Sequence, residues 1–401
     1  VTTPLVMVSY SWTDAEAAEL LHEELAFRGV EVAHDRCTFP TGSRLTGAML
    51  DAALGCDGYI VYLTPASLYE DRPDCPRPVI DDEFLPVFDR LASERPPTVM
   101  PLVHGLGHPR DEAPERVRRA TGRDISSLWM PVVLDQHTDR ITQPEAAQVA
   151  HLMTSEVFRR HGDELAHTES LDLSVVTRGN GQVPATVAID GTRTLGGETP
   201  RPGEEHDWER FGHGLRDLEG SLAASTRNRA LRVLARTHLT GAIAFGRTFH
   251  QAASWDLTIA GRHGDATLRS TSDDHGVIID TDIGFRGGDV SIEIDLLGVE
   301  VSSLTGPALA NAPEAVATRL LARRGPGDDL TPEQAAGAAH LISTEVRALV
   351  HDRRPANVHL FCAAPVEVAA LIGHRLTSLH TTVQLYERDC NRYVPSLRLN
   401  C

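Results

Sequence analysis

Five short apolar runs punctuate the first 135 residues: "PLVMVSY" (4–10), "VEVAHD" (30–35), "GYIVYL" (58–63), "TVMPLV" (98–103) and "MPVVLD" (130–135). Each has the length and β-branched content of a buried strand, and helical signals fill the gaps between them. Thr13-Asp14-Ala15-Glu16 reads as a capping box opening a helix with Ala17, Leu21 and Leu25 on one face and Gly29 as its stop. "CTFPTGSRL" (37–45) reads as a loop before a helix near 46–54, and another helix runs from "VIDDEF" (79–84) to about Ser93. Strands alternating with helices at this spacing predict an α/β fold with a parallel, doubly wound sheet. Ligands of such sheets bind beyond the carboxyl ends of the strands, where Tyr10, Asp35 and Thr64 fall.

A second region starts near "LDLSVV" (171–176), and residues 179–206, rich in Gly, Pro, Thr and Glu, read as an irregular loop. Beyond it the chain echoes itself. "HLTGAIAFGRTF" (238–249) and "HLFCAAPVEVAALIGHRL" (359–376) each have a strand-like start and an Ala-rich helix with Ala-x-x-x-Gly. Each leads to a further strand, "WDLTIA" (255–260) or "TTVQLYE" (381–387), which predicts two related Rossmann-like halves. A second echo links "AAQVAHLMTSEV" (146–157) to "AAGAAHLISTEV" (335–346) and draws the helix at 143–162 toward the C-terminal region. The boundary is placed so that residues 1–162 form one domain and 163–401 the other.

Composition narrows the function. A net charge of −18 argues against a DNA or RNA duplex as partner. The sequence has no lysine, so any phosphate clamp must use Arg, His or backbone N–H groups. No apolar run approaches the ~20 residues that span a membrane, and the first residues lack a signal-peptide pattern, so a cytoplasmic protein is expected. The six cysteines form no Cys-x-x-Cys pair and read as reduced thiols. "RPGEEHD" (201–207) has too few converging ligands for a metal, so no metal site and no cofactor are expected. "ERVRR" (115–119) and "HDRR" (351–354) read as solvated helix faces.

"VIDDEF" places three carboxylates at a helix start. On a helical wheel Ile80, Phe84, Val87, Phe88 and Leu91 make the apolar stripe, Asp82 points into water, and Asp81 and Glu83 flank the stripe. Asp81 suits a cap, and Pro86 predicts a late start or a kink.

The order of these motifs resembles a Toll/interleukin-1 receptor (TIR) domain over residues 4 to 135. The resemblance is carried by "VMVSYSWTDAEAAELLHEELAFRGVEVAHD", "TFPTGSRL", "ALGCDGYIVYLTPASL" (53–68) and the acidic helix start. It implies a flavodoxin-like sheet and, as in bacterial and plant TIR domains that cleave NAD, a catalytic glutamate at Glu83. The usual Trp before that position is missing from "YEDRPDCPRPVIDDEF", which leaves Asp82 as the alternative. Ser9, Tyr10, Trp12, Asp35, Phe39, Ser43 and Arg44 are the matching candidates for holding NAD+, here a substrate.

The C-terminal region, 170 to 401, resembles a SAVED domain, a cyclic-oligonucleotide sensor of two fused CRISPR-associated Rossmann-fold halves. "HLFCAAPVEVAALIGHRL" and "VQLYERDCNRYVPSLRL" (383–399) carry the likeness, and "ARTHLTGAIAFGRTF" (235–249) is the weaker first-half counterpart. The turn Cys362-Ala363-Ala364-Pro365 would aim backbone N–H groups at a phosphate, with Thr237, His238 and Thr240 at the matching turn of the first half. Arg388 and Tyr393 are candidates to clamp phosphate or stack a base. Together the resemblances imply an antiphage effector of the cyclic-oligonucleotide signalling (CBASS) type. A cyclic trinucleotide, cyclic tri-AMP first, would drive head-to-tail filament assembly and switch on NAD+ hydrolysis. The rival expectations are a non-catalytic TIR scaffold that recruits another effector, a C-terminal domain that binds a different nucleotide or acts as a ring nuclease, and an ordinary Rossmann-type nucleotide enzyme. The last is disfavoured because no Gly-x-Gly-x-x-Gly follows the first strand.

Overall fold

The computed structural model describes residues 3–34, 45–69, 79–128, 130, 132–138, 140–179, 183–196, 203–268, 275–284, 288–310, 316–325 and 329–400. The chain divides into two compact units, Val1–Leu165 with Gly220–Thr226, and Ala166–Glu219 with Arg227–Cys401.

In the first unit Leu5–Ser9 (β1), Glu31–Ala33 (β2), Gly58–Leu63 (β3) and Thr98–Val103 (β4) form a parallel sheet in the order β2-β1-β3-β4. Every residue of β3 and β4 is buried, as expected of parallel strands covered on both faces. Among its described residues the fifth apolar run forms no strand. Its backbone is met by side chains instead: Asp135 N donates to Glu145 at 2.8 Å, and Gln136 Nε2 donates to Leu134 O and to Val103 O at the end of β4. The helices are Ala15–Ala26 (α1), Leu45–Gly55 (α2), Leu85–Asp89 (α3), Glu112–Thr121 (α4) and Gln143–Ala166 (α5).

Two local expectations change. A 3-10 turn, Trp12–Asp14, precedes α1 and no capping box forms. Asp14 instead accepts a 2.8 Å bond from Thr64 Oγ1, which ties the helix start to the end of β3. "VIDDEF" is a wide π turn, Val79–Phe84, running into α3. Pro86 cannot donate to the Asp82 carbonyl, and its ring crowds that turn; a widened turn relieves both.

The second unit holds two sheets. Leu171–Val176 (β5), Val187–Asp190 (β6), Ala230–Arg236 (β7), Asp256–Gly261 (β8) and Gly264–Thr267 (β9) pair in the order β6-β5-β7-β8-β9, with only β9 antiparallel. Val277–Asp282 (β10), Asp289–Asp295 (β11), Val316–Arg324 (β12), Asn357–Ala363 (β13), Thr382–Asp389 (β14) and Arg392–Asn400 (β15) pair in the order β10-β12-β11-β13-β14-β15. Leaving out β10, this order repeats the first sheet, including its final antiparallel strand. The stretch 179–206 is thus not all loop: it contains β6 and the short helix Thr192–Leu195 (α6), and Glu205–Ser225 (α7) begins within it.

Leu239–Thr248 (α8) follows β7, and Val366–Arg375 (α11) follows β13 at the same place in the second half. His238 caps α8 and is not part of a strand; β7 lies upstream. Val301–Leu309 (α9) and Pro332–Arg353 (α10) complete the second half. The Ala-x-x-x-Gly echo is the contact between the halves. A Cβ on Gly246 would lie 1.9 Å from the Ala370 carbonyl oxygen, and one on Gly373 2.2 Å from that of Ile243. Only glycine permits this reciprocal approach of α8 and α11. The second echo joins helices in unequal places: α10 leads into β13, whose counterpart β7 follows α7, whereas α5 precedes β5.

Candidate functional sites

In the first unit the sheet order reverses at β1, so the crevice beyond β1 and β3 is the expected ligand position. Ser9 ends β1 there and is buried, and its hydroxyl donates to Glu83 Oε2. The π turn sorts the three carboxylates: Asp81 is exposed, Asp82 half-buried, and Glu83 only 2% exposed. The wheel, drawn at 3.6 residues per turn, had turned Asp82 outward. The apolar stripe stands, with Ile80, Phe84 and Val87 in the core and Phe88 and Leu91 packed against it. Tyr59 of β3 is buried nearby, and burial first, then the charge of Glu83, raises its pKa well above the usual phenol value. A charge fixed beside apolar and hydroxyl groups at a strand end can act on a cation that forms next to it.

In the second unit the turn after β7 is densely bonded. His238 N and Nδ1 both lie 2.9 Å from Thr177 Oγ1, which is 2.8 Å from Thr237 Oγ1. Burial, then the charge of Arg178, pushes the His238 pKa down to about 4, so the ring is neutral at physiological pH. Thr240 N, in the first turn of α8, donates to Glu387 Oε2 at 3.0 Å, and its hydroxyl is 2.7 Å from Ser396 Oγ. A carboxylate from β14 therefore occupies the helix N-terminus that an outside anion would seek. Burial raises the pKa of Glu387, and the bonds from Thr240 oppose that shift.

Cavities open in this unit among the described residues. One of about 410 Å³ is lined by Glu205, His359, Gln384, Tyr386, Tyr393 and Arg398, among others. On its wall His359 Nδ1 is 2.9 Å from Tyr386 Oη and Nε2 is 3.1 Å from Asp289, which also accepts from Asn357 N and Nδ2. Burial raises the Tyr386 pKa to about 12. Another, about 750 Å³, lies between α7, the end of α8 and the end of β15. Arg216, Arg247 and Arg398 line it.

A family model for the TIR domain matches residues 6–150, and the model for the "SMODS-associated and fused to various effectors sensor domain" (SAVED) matches residues 215–399. The chain is a TIR–SAVED fusion. Among solved structures it is similar to the Acinetobacter baumannii Cap4 SAVED/CARF-domain containing receptor. The form with the cyclic trinucleotide 3'3'3'-cAAA matches at TM-score 0.48 and 11% identity, covering 98% of this chain and 99% of that one. The form with 2'3'3'-cAAA matches at TM-score 0.49, again at 11% identity and with the same coverage. A comparison with curated proteins found no match. No helix among the described residues is long and apolar enough to cross a membrane.

In the TIR unit the structure brings Ser9 and Glu83 together. Tyr10 is buried edge-on to His34, and Trp12 is exposed on its 3-10 turn. Asp35, Phe39, Ser43 and Arg44 lie outside the described residues. In the SAVED unit Cys362, Ala363 and Ala364 are buried, and burial raises the Cys362 thiol pKa; Pro365 caps α11. Arg388 is exposed and donates to the Cys390 carbonyl at 3.0 Å. Tyr393 is buried edge-on to Phe361, on the wall of the 410 Å³ cavity. Sequence reasoning missed the Asp289 partner of His359, which stands 70 residues away in the chain.

Proposed function

We propose that this protein is an NAD+ glycohydrolase, switched on when its SAVED unit binds a cyclic oligonucleotide, and that it serves as an antiphage effector of the CBASS type. The observation that carries the enzymatic reading is Glu83. It is the buried carboxylate of the acidic turn, held by Ser9 at the carboxyl end of β1, where the sheet order reverses.

Cleavage of the nicotinamide–ribose bond develops positive charge on the ribose, as in glycoside hydrolysis. Glu83 stabilises that charge, and the Ser9 hydroxyl fixes the carboxylate. Nicotinamide leaves as a neutral molecule from a cationic ring, so no general acid is required. Glu83 has little contact with solvent, so the ribose hydroxyls must take the place of its present neighbours when NAD+ enters. A ligand-induced, head-to-tail assembly of SAVED units, a contact that does not close, supplies a neighbouring TIR unit to drive that opening. The sensor role is supported by the SAVED match and by the paired halves joined through Gly246 and Gly373. A cyclic trinucleotide, cyclic tri-AMP first, is the proposed activator.

The test is NAD+ consumption by the purified chain with a panel of cyclic di- and trinucleotides, alongside Glu83→Gln and light scattering. Turnover with one cyclic trinucleotide, abolished in Glu83→Gln while scattering still grows, is expected. A ligand that binds and assembles the chain without any NAD+ loss would leave a signalling scaffold in place of an enzyme.

A further inference from the structure

We infer that Tyr59 is a positioning residue for NAD+ cleavage: its hydroxyl donates to Ser9 Oγ, which turns the Ser9 proton onto Glu83 and keeps that carboxylate aimed at the ribose. This rests on reading Glu83 as the group that stabilises the ribose cation.

The strand register brings the three groups together. Tyr59 of β3 stands opposite Met7 of β1, and Val61 stands opposite Ser9. Side chains alternate along a strand, so Tyr59 and Ser9 share one face, a diagonal step apart and within the reach of a tyrosine. The π turn covers that face, where Val79, Ile80 and Phe84 pack in one cluster with Met7, Tyr59 and Val61. Glu83 belongs to the same turn and accepts from Ser9. Glu83 and Ser9 are accordingly the nearest polar influences on the Tyr59 hydroxyl.

That hydroxyl does nothing for packing. Tyr59 is fully buried, and among the described residues its Oη has no hydrogen bond of ordinary geometry. Tyr62 of the same strand shows the usual arrangement, with Oη 2.6 Å from His104 Nδ1. An enclosed hydroxyl without a good partner lowers stability, and phenylalanine would fill the same space without that cost. Hydrogen bonds of a catalytic centre are often long or poorly aligned before substrate binds, and they tighten when it enters.

Burial, then the charge of Glu83, holds the phenol protonated, so it keeps a proton to donate. A serine hydroxyl has one proton and turns to suit its surroundings. When the Ser9 oxygen accepts from Tyr59, the Ser9 proton is left for Glu83, and each bond polarises the next. Every proton stays on its own oxygen; the chain Tyr59, Ser9, Glu83 only orients and steadies the charge.

The experiment is NAD+ turnover by the full chain with the panel of cyclic di- and trinucleotides. Wild type is compared with Tyr59→Phe, Ser9→Ala and the double variant between about pH 5 and about pH 8. Tyr59→Phe keeps the ring and should melt no lower than wild type. Its kcat should fall about three- to tenfold with KM unchanged, the worth of one uncharged hydrogen bond. The carboxylate loses part of what stabilises its charged form, so its pKa rises. The acid side of the kcat profile should therefore move up by about half a pH unit. Cys56, whose thiol burial pushes up to about 12, does not titrate in this range, and Asp51, Asp81 and Asp82 are the same in both proteins. In the Ser9→Ala background Tyr59→Phe should change kcat by less than about twofold, because the hydroxyl acts through Ser9. Wild-type kcat with an unmoved acid side in Tyr59→Phe, whatever its melting temperature, overturns the inference and leaves Glu83 as the catalytic group. An equal loss of kcat in both backgrounds overturns it as well, because the hydroxyl would then act by another route. If wild type consumes no NAD+ with any member of the panel, the enzymatic reading itself fails, and the role of Tyr59 with it.

Discussion

Placing a methyl group at Gly246 tests how the SAVED halves are joined. The new Cβ would lie 1.9 Å from the Ala370 carbonyl oxygen and 2.8 Å from His374 N. Ordinary contact needs about 3.5 Å. The obstacle is backbone, which no rotamer change removes, so α8 and α11 must separate by about 1.5 Å. Overpacking of this kind costs about 3 kcal/mol, the upper part of its usual range. Alanine returns about 1 kcal/mol through helix propensity. The net loss of about 2 kcal/mol lowers the melting temperature of a unit this size by roughly 4–8 °C. Gly373→Ala meets the Ile243 carbonyl oxygen at 2.2 Å and should behave alike. Gly306, inside α9 with nothing within 4 Å of the methyl group that alanine would add, is the control. Alanine there gains helix propensity but precedes Pro307, which disfavours a Cβ in the helical conformation, so Gly306→Ala should leave the transition within about 2 °C of wild type. Scanning calorimetry of the full chain reads all three, and equal melting of Gly246→Ala and Gly306→Ala would refute the reasoning.

Ser9→Ala removes the hydroxyl that holds Glu83, a charge-assisted bond of about 1.5–3 kcal/mol; kcat for NAD+ should fall about ten- to a hundredfold, and an unchanged kcat would remove Ser9 from the site. His161 lies 3.0 Å from Asp57 and 3.3 Å from Glu164, which raise its pKa above 6.5. The stability this pair adds is complete below pH about 6.5 and is lost as pH rises through the elevated folded-state pKa. The melting difference between wild type and His161→Gln should therefore be larger at pH 6 than at pH 8.5, and a reversed order would contradict the ion pair. Asp289→Ala strands the donors of His359 and Asn357 at a fully buried position. A loss of about 3 kcal/mol by denaturant titration is expected, and a loss below 1 kcal/mol would show that the network contributes little.

The four strands of the TIR unit were legible because a parallel strand covered on both faces must be a continuous apolar run. The same logic misread residues 130–135, whose described residues enter no strand and instead make backbone bonds to Gln136 and Glu145. The two SAVED halves were legible through Ala-x-x-x-Gly, since close helix approach leaves glycine no substitute. The motif revealed that each helix packs tightly, but not that each glycine meets the other helix.

The sites were legible only as lists of residue types. Glu83 is told from Asp81 and Asp82 by a π turn and by Ser9, 74 residues away. Glu387 reaches Thr240 across 147 residues. The four TIR strands, the helices between them and the repeat of the SAVED halves were legible in the sequence alone, because periodicity and small-residue spacing act between near neighbours. Which carboxylate is buried and which anion site is already filled was decided by the tertiary structure, because electrostatic and hydrogen-bond energies depend on distances that only the folded chain sets.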